Sequence, residues 1–589
     1  MDNDVLDNLD KHSVAEGALD KGVSTSWGAR LFGNVPRRFL PGADHLPLLT
    51  FGSPALSYAW SRQPLNACVA LLDDTIARLG PDRPALIAVQ ASGRVTWTYG
   101  DLLRRVIRTA AGLAATGVRP GDRVLVRMPD VPETVVVQLA VWRLGGIVVP
   151  SSVLEAAGEV TFMLNDTEAV AVVCSSAHAG ELEKALPETP TVRHVIGWPE
   201  SVAGGPTLDA IAEGRPDVFE PHPTMPLDAS GIYYTGGTTG LPKGCLHTHA
   251  AEVALADLNN AARGAGEDSV FLTHAPIGHA FGNGEKVNFP LRAGGAVVLL
   301  DRPGPADMWA ALAEFGVTTM AGAATMYRMM LADPPPPEVV KQLALTSALS
   351  SGEVLDPTAQ DKWTSLMPVR LRNAVGMTPM RHLFIDSNVA GGASAPGLSV
   401  GAPLPGYEAR LLAPDGSLAA PGEPGRLAVR GPSGITYWIN KHPAAVERSQ
   451  QDVVDGWSLL DDAYFRDVDG WLWFHGRLDD MIVTGGRQVA PIEVERALSS
   501  HPAVAEVCVV PAPDPVRGQV VTAVVVVNGA ATSGPDLAAE LQAYVKDSIA
   551  SYKYPRRIEF VDQLPKDGVG KIQRRRLRER FQAETGAPS

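Results

Sequence analysis

The alternation of amphipathic helices with short apolar runs constrains this chain more than any other feature. Residues 102–116 (LLRRVIRTAAGLAAT) place their apolar side chains on one helical face and meet Gly117, a helix terminator. A strand is expected over 122–128, a second helix over 134–144, and another strand over 146–150. Similar punctuated apolar runs recur at 169–173, 270–272 and 296–300. Strands alternating with helices predict an α/β sheet with crossover connections. Around 401–430 the character changes to short strands between Gly/Pro turns, which predicts a small β-rich subdomain. After Arg477 comes a compact segment with strands near 504–510 and 520–527, a helix near 536–549, and a basic, glycine-punctuated tail over 566–580. The prolines of 333–338 (DPPPPE) read as a stiff linker between two helices. The first sixty or so residues are rich in Gly, Pro and Asp and lack periodicity, so they are expected to drape over the surface or stay partly disordered.

At 589 residues the chain calls for two or more packed units. Its net charge of −14 makes it a poor partner for nucleic acid or an anionic membrane. Cys68, Cys174, Cys245 and Cys508 are far apart and show no Cys-x-x-Cys spacing, so reduced thiols are expected rather than a disulfide framework or a zinc site. The acidic N-terminus does not read as a secretory signal, and no run of about 18 apolar residues is present. A cytoplasmic protein is expected.

Chemistry enters with residues 234–244, YTGGTTGLPKG, which follow the apolar stretch 231–233. Thr235, Gly236, Gly237, Thr238, Thr239 and Gly240 offer backbone N–H groups and hydroxyls that can approach an anion closely, and Lys243 adds a point charge. This is not a Walker loop, which needs Gly-Lys followed directly by Ser or Thr. The run resembles the phosphate loop of the adenylate-forming superfamily of acyl-CoA synthetases, luciferases and peptide-synthetase adenylation domains.

Further signatures of that superfamily follow in order over roughly residues 65–580. Gly352 and Glu353 resemble the turn that lies along the adenine. Asn373, Val375, Gly376, Met377 and Thr378 (in NAVGMT) look like the loop touching adenine, acyl group and the AMP phosphate. Asp462 and Arg477 match the ribose-binding pair, and Lys571, in LPKDGVGKIQR, matches the lysine that reaches the carboxylate and α-phosphate. The stretches 65–72, 321–331, 377–388 and 401–411 resemble the aryl-CoA ligase branch, such as benzoate- and 2-aminobenzoate-CoA ligases. By the same resemblance His279, Phe281, Gly282, Ala323, Gly376 and His382 line the acyl site, with His279 also on the thiol's path. A lone histidine is more often a satisfied structural residue than a catalyst, so the resemblance alone carries both histidines.

The resemblance implies an α/β protein with a large N-terminal domain, residues 65–478, of two α/β subdomains plus a β-barrel-like subdomain. An extension, 1–64, precedes it, and a small mobile α+β C-terminal domain, 479–589, follows. Asp479 matches the hinge. In one orientation the small domain would bring Lys571 to the adenylate; in the other it would present Gly485 and Gly486 beside the pantetheine channel. The implied cofactors are AMP or acyl-AMP, ATP, coenzyme A and Mg²⁺.

The chain also departs from the family pattern. Pro379 stands where the family has a glutamate that supplies an oxygen to Mg²⁺, and Leu460-Asp461-Asp462 stands where Thr-Gly-Asp is usual. Proline has neither a side-chain oxygen nor an N–H. Loss of that ligand would slow adenylation by roughly two to four orders of magnitude unless another oxygen, from Asp386 or water, replaces it. Thioester formation from acyl-AMP does not need a triphosphate clamp. Three readings stay open: a complete ATP-dependent ligase, an enzyme that only thioesterifies acyl-AMP from a separate adenylating partner, and a catalytically dead nucleotide-binding protein.

Overall fold

The computed structural model describes residues 31–584 apart from 52–55, 57, 60–62, 91–92, 236–241, 389–393, 441–442, 485–486, 530 and 567–571. Local chemistry sets the first helix, Tyr99–Thr116. The Thr98 hydroxyl accepts from Asp101 N–H at 3.1 Å while the Asp101 carboxylate accepts from Thr98 N–H at 3.2 Å, and Gly117, at φ +113°, ends the helix. The next helix, Pro132–Leu144, opens on proline and closes at Gly145. It is buried on nearly every side because its residues share one apolar cluster with strands of two different sheets.

Those sheets form the two α/β units. In the six-stranded sheet, strands 194–198, 171–175, 123–127, 147–150 and 229–235 lie parallel, and strand 243–248 closes the edge antiparallel to 229–235. In the nine-stranded sheet the strands 371–376, 347–350, 319–322, 270–273, 296–299 and 84–90 are parallel, with antiparallel strands at both edges. Antiparallel strands 408–412, 425–430, 453–454, 457–466 and 472–477 make the smaller β subdomain. The last sheet pairs 504–514 with 518–527 antiparallel and adds 557–560 in parallel. Helices Pro491–Ser499 and Pro535–Ser548 pack on it around a separate core that includes Ile482, Val509, Val525 and Leu541. No helix among the described residues is long and apolar enough to cross a membrane.

Two expectations need correction. The prolines of 333–338 do not all stay outside helices, because Pro337 opens the short helix Pro337–Val340, where its missing N–H costs nothing. The described part of the N-terminal segment, 31–51, does not drape over the surface: Phe32, Phe39 and Phe51 belong to the largest core. Asn34 pairs with both backbone groups of Ala229 at 2.8 and 3.1 Å. The Phe39 ring stacks on Trp438 at 4.4 Å, and the Trp438 indole donates to the Asp166 carbonyl at 2.7 Å. Thr50 N–H and Leu48 N–H donate to the carbonyls of Gly431 and Gly456. The segment is a strap joining the six-stranded sheet to the β subdomain.

Truncating a buried aromatic ring costs about 3–5 kcal/mol. Phe39→Ala is therefore expected to lower the unfolding free energy by that amount, read as a lower urea midpoint without a change in slope; an unchanged midpoint would show the strap to be dispensable.

Candidate active site

The site is built on one hairpin. Strand Ala229–Thr235 pairs with Lys243–Thr248 so that Thr235 lies opposite Lys243. Gly236, Gly237, Thr238, Thr239 and Gly240 lie outside the described residues. The Tyr234 hydroxyl donates to Asp166 at 2.7 Å, which anchors the end of the strand. Thr248 caps the helix His249–Arg263, which continues from the second strand.

Strand Leu371–Gly376 runs into a short turn, Thr378–Met380, that contains Pro379. His247, on the hairpin, donates through Nε2 to the Thr378 carbonyl at 2.9 Å. Burial, reinforced by the nearby Arg381 charge, pushes the pKa of this imidazole down to about 3, so it is neutral and holds its proton on Nε2. Met377 and Val375 pack on the large core. Gly376 is required by close approach, since a Cβ there would lie 2.9 Å from the His382 carbonyl oxygen.

Arg381 follows the turn at φ +70°, ψ −47°, and the His382 N–H donates to the Met380 carbonyl at 2.9 Å. This is a γ-turn of the rare positive-φ kind, which costs of order 1–3 kcal/mol for a residue with a side chain. The Arg381 guanidinium is fully buried against the equally buried Glu252, with Nε 2.9 and 3.0 Å from its two oxygens. The sequence reading missed His247, Glu252 and Arg381. A single charge inside an apolar run, as in 250–256 or 380–385, was the available signal.

His279 precedes the short helix Ala280–Asn283, and its carbonyl accepts from Asn283 N–H at 2.8 Å. Phe281 packs against Ala321, Leu349, Ala374 and Leu383, an apolar wall suited to a flat ring. Gly282 has no room for a Cβ, which would come within 2.1 Å of the Pro276 carbonyl. His382 is buried beneath Phe281: the rings stack at 5.3 Å and its Nε2 donates to the Phe281 carbonyl at 3.0 Å. Burial holds its pKa well below the ordinary value, so it is a neutral support for that wall. Ala323 sits at the start of helix Ala324–Ala332, whose Thr325 N–H and hydroxyl both donate to Glu353 at 2.8 Å. Glu353 therefore caps this helix, and Gly352 turns the chain at φ +82°. The Asn373 side chain donates through Nδ2 to the Leu398 carbonyl at 3.1 Å.

Asp462 and Arg477 are direct cross-strand neighbours, with Arg477 Nε 3.8 Å from Asp462 Oδ1. The extra acid, Asp461, is neutralised by Arg448 at 2.6 Å, and Arg448 also reaches Asp452 at 2.9 Å. Asp462 lies beside Arg477 together with Asp461, whose Oδ2 is 3.9 Å from Arg477 Nη2. The turn Leu478–Asp480 follows directly, and Asp480 is paired with Arg574 and Arg578 of the last helix. The side chain of Asp479, together with Gly485, Gly486 and Lys571, lies outside the described residues. Thr484 and Arg487, which flank the glycines, are paired, and Lys566 bridges Ile572 on either side of the segment holding Lys571.

The Thr378–Met380 turn offers no carboxylate to a divalent cation, because Pro379 has none. Asp386, expected as an alternative oxygen, is not available to it: the carboxylate is buried, 3.4 Å from Arg372, and accepts from Asn388 N–H at 2.9 Å. No group of three or more potential His, Cys, Asp or Glu metal ligands occurs among the described residues. The donor set at this turn does not fit the family's Mg²⁺ site.

The chain matches the family model of AMP-binding enzymes over residues 73–437 and that of the AMP-binding enzyme C-terminal domain over 493–571. A benzoate–CoA ligase of Thauera aromatica is 35% identical over 491 residues, 82% of this chain and 90% of that protein. Among solved structures, the anthranilate CoA ligase AuaEII in complex with anthranoyl-AMP superposes with a TM-score of 0.81 at 27% identity, covering 88% of this chain and 98% of that one. A benzoate CoA ligase from Burkholderia xenovorans gives 0.78 at 31% identity, covering 87% and 99%.

The neutral His247 generates a pH dependence. The unfolded chain protonates this imidazole below its ordinary pKa of 6.5, the folded chain only below about 3. Between those values the unfolded state holds more protons, so stability falls as pH drops from about 6.5 toward 3. His247→Gln should flatten the dependence of the urea midpoint on pH across that window; an unchanged slope would place the buried proton equilibrium elsewhere.

Proposed function

The chain belongs to the AMP-binding enzyme family, as an acid–thiol ligase related to benzoate– and anthranilate–CoA ligases, and from that premise we propose that it makes an aryl-CoA thioester through aryl-AMP, with thioester formation far outpacing adenylation of the free acid. The observation that carries the second half is the composition of the Thr378–Met380 turn: Pro379 supplies no side-chain oxygen and Asp386 is committed to Arg372. In the limiting form, acyl-AMP comes from a separate adenylating enzyme.

The residues divide the work as follows. The ribose hydroxyls lie between Asp462 and Arg477, and the phosphate lies in the loop Thr235–Gly240 with Lys243 and Thr378. The adenine rests along Gly352–Glu353 and the backbone of Asn373–Met377, while the aryl ring lies on Phe281 beside Ala323 and Gly376, with His382 behind. Rotation about Asp479 exchanges Lys571 for Gly485-Gly486, beside which the pantetheine arm enters. The thiol sulfur adds to the acyl carbon, the bond from that carbon to the phosphate oxygen breaks, and AMP leaves with the electron pair. His279 takes the thiol proton. Behind the ring, the half-buried Phe281 rests on the buried His382, which packs in turn on Phe289, so the acyl side of the site is lined by packed rings rather than polar groups.

Two measurements test this reading. Benzoyl-AMP plus CoA should give thioester at least about a hundredfold faster than benzoate plus ATP releases pyrophosphate. Comparable rates would leave an ordinary ligase, and Pro379→Glu should narrow the gap if the missing oxygen is its cause. Asp462→Ala removes acceptors for the ribose hydroxyls, each such charged hydrogen bond worth about 1.5–3 kcal/mol. Calorimetry with AMP should show at least about a tenfold loss of affinity, and an unchanged Kd would remove Asp462 from the ribose site.

A further inference from the structure

The Arg381 guanidinium joins the separate walls of the proposed site. Besides Glu252, it donates through Nη1 to the Ala280 carbonyl at 3.0 Å, and through Nη2 to the Tyr233 hydroxyl at 2.9 Å and Asn283 Oδ1 at 2.7 Å. Tyr233 lies in the strand that leads into the Gly/Thr-rich loop. Ala280 follows His279 directly, and Glu252 stands in the first turn of the helix that continues from the strand of Lys243. The same residue carries the positive-φ turn that closes the Thr378–Met380 loop. Its partners are locked in turn: Asn283 exchanges hydrogen bonds with Gln138 at 2.6 and 3.1 Å, while Asn288 and Ser230 donate to Glu252 at 2.7 and 3.1 Å.

We propose that Arg381 is a positioning residue for the thioester-forming step, holding the Thr378 loop in register with His279 and with the phosphate-loop strand. The proposal rests on the reading of the function given above. Every nitrogen of the guanidinium is spent on protein oxygens, so it acts through its neighbours rather than on substrate. In a turn without a carboxylate at 379, this buried fork is the rigid link between the nucleotide loop and the acyl wall. A strained backbone persists where its surroundings over-determine it, and here the surroundings are the fork's own partners.

The test uses Arg381→Lys in the full chain, with benzoyl-AMP and CoA as substrates. A lysine keeps the charge opposite Glu252 but cannot fork to Ala280, Tyr233 and Asn283. The matched control is Arg292→Lys, at an arginine that forks to Asp257 at 2.7 and 3.1 Å outside the site. Expected for Arg381→Lys is a fall in kcat of about ten- to a hundredfold with the KM for CoA within about twofold of wild type. The fraction of benzoyl-AMP lost to water rather than to CoA should rise, and the control should show neither change. Tyr233→Phe, which removes one hydroxyl partner, should move kcat in the same direction by less and serves if Arg381→Lys does not fold. A kcat within twofold of wild type in both variants, or an equal loss in the control, overturns the proposal while leaving the function intact. If wild type makes no thioester from benzoyl-AMP, the function falls. AMP binding by calorimetry then decides Arg381, a tenfold weaker Kd supporting the positioning role and an unchanged one overturning it.

Discussion

A guanidinium leaves water at tolerable cost only when its N–H groups meet oxygens, and the buried contact of Arg381 with Glu252 imposes that demand on the centre of this molecule. Tyr233, Asn283 and the Ala280 carbonyl must all arrive at fixed places to satisfy it. Tyr233 belongs to the strand Ala229–Thr235, whereas Ala280 and Asn283 belong to the short helix after His279, so the condition for burying one charge is also the condition for bringing these two elements together. Removing one partner of such a pair typically costs about 3–5 kcal/mol, because the survivor is left buried and unpaired. The γ-turn at Arg381 is sustained by the same arrangement.

The acids near the crevice follow a related logic. Asp386 is held by Arg372, Asp461 by Arg448, and Glu353 by the first turn of a helix. These pairings assign each carboxylate a structural partner and leave Asp462 beside Arg477 at the edge of the β subdomain. The departure at Leu460-Asp461-Asp462 is thereby absorbed, since the added charge is matched by an arginine on the neighbouring helix, Pro443–Asp452. The departure at Pro379 is not absorbed in this way, because Asp386 is committed to Arg372.

The C-terminal unit has its own apolar core and its own internal ion pairs. Arg574 of the last helix binds Glu495 at 2.5 Å and lies 3.5 Å from Asp480, which Arg578 also holds. The turn at the proposed hinge is thus gripped by the far end of the small domain. As a string, 566–580 is a basic tail; folded, its Arg574 and Arg578, one helical turn apart, pair with Glu495 and Asp480, far away in sequence.

Periodicity and punctuation by themselves determined much of this protein. The helices ending at Gly117 and Gly145, the strands at 123–127, 147–150, 270–273 and 296–299, and the β-rich subdomain were legible because capping, turn chemistry and hydrophobic alternation act within a few residues of chain. Tertiary structure alone decided that the segment 31–51 is a core strap, that Glu353 and Asn373 are spent on their own scaffold, and that Asp386 serves Arg372 instead of the turn beside Pro379. It also decided that Arg381, Glu252 and His247 bind the walls together. The reason is physical: a charge or an aromatic ring takes its meaning from the partners that bury it, and those partners lie tens to hundreds of residues away. Chain-local patterns carry no record of such a pairing, which exists only once the sheets have closed around it.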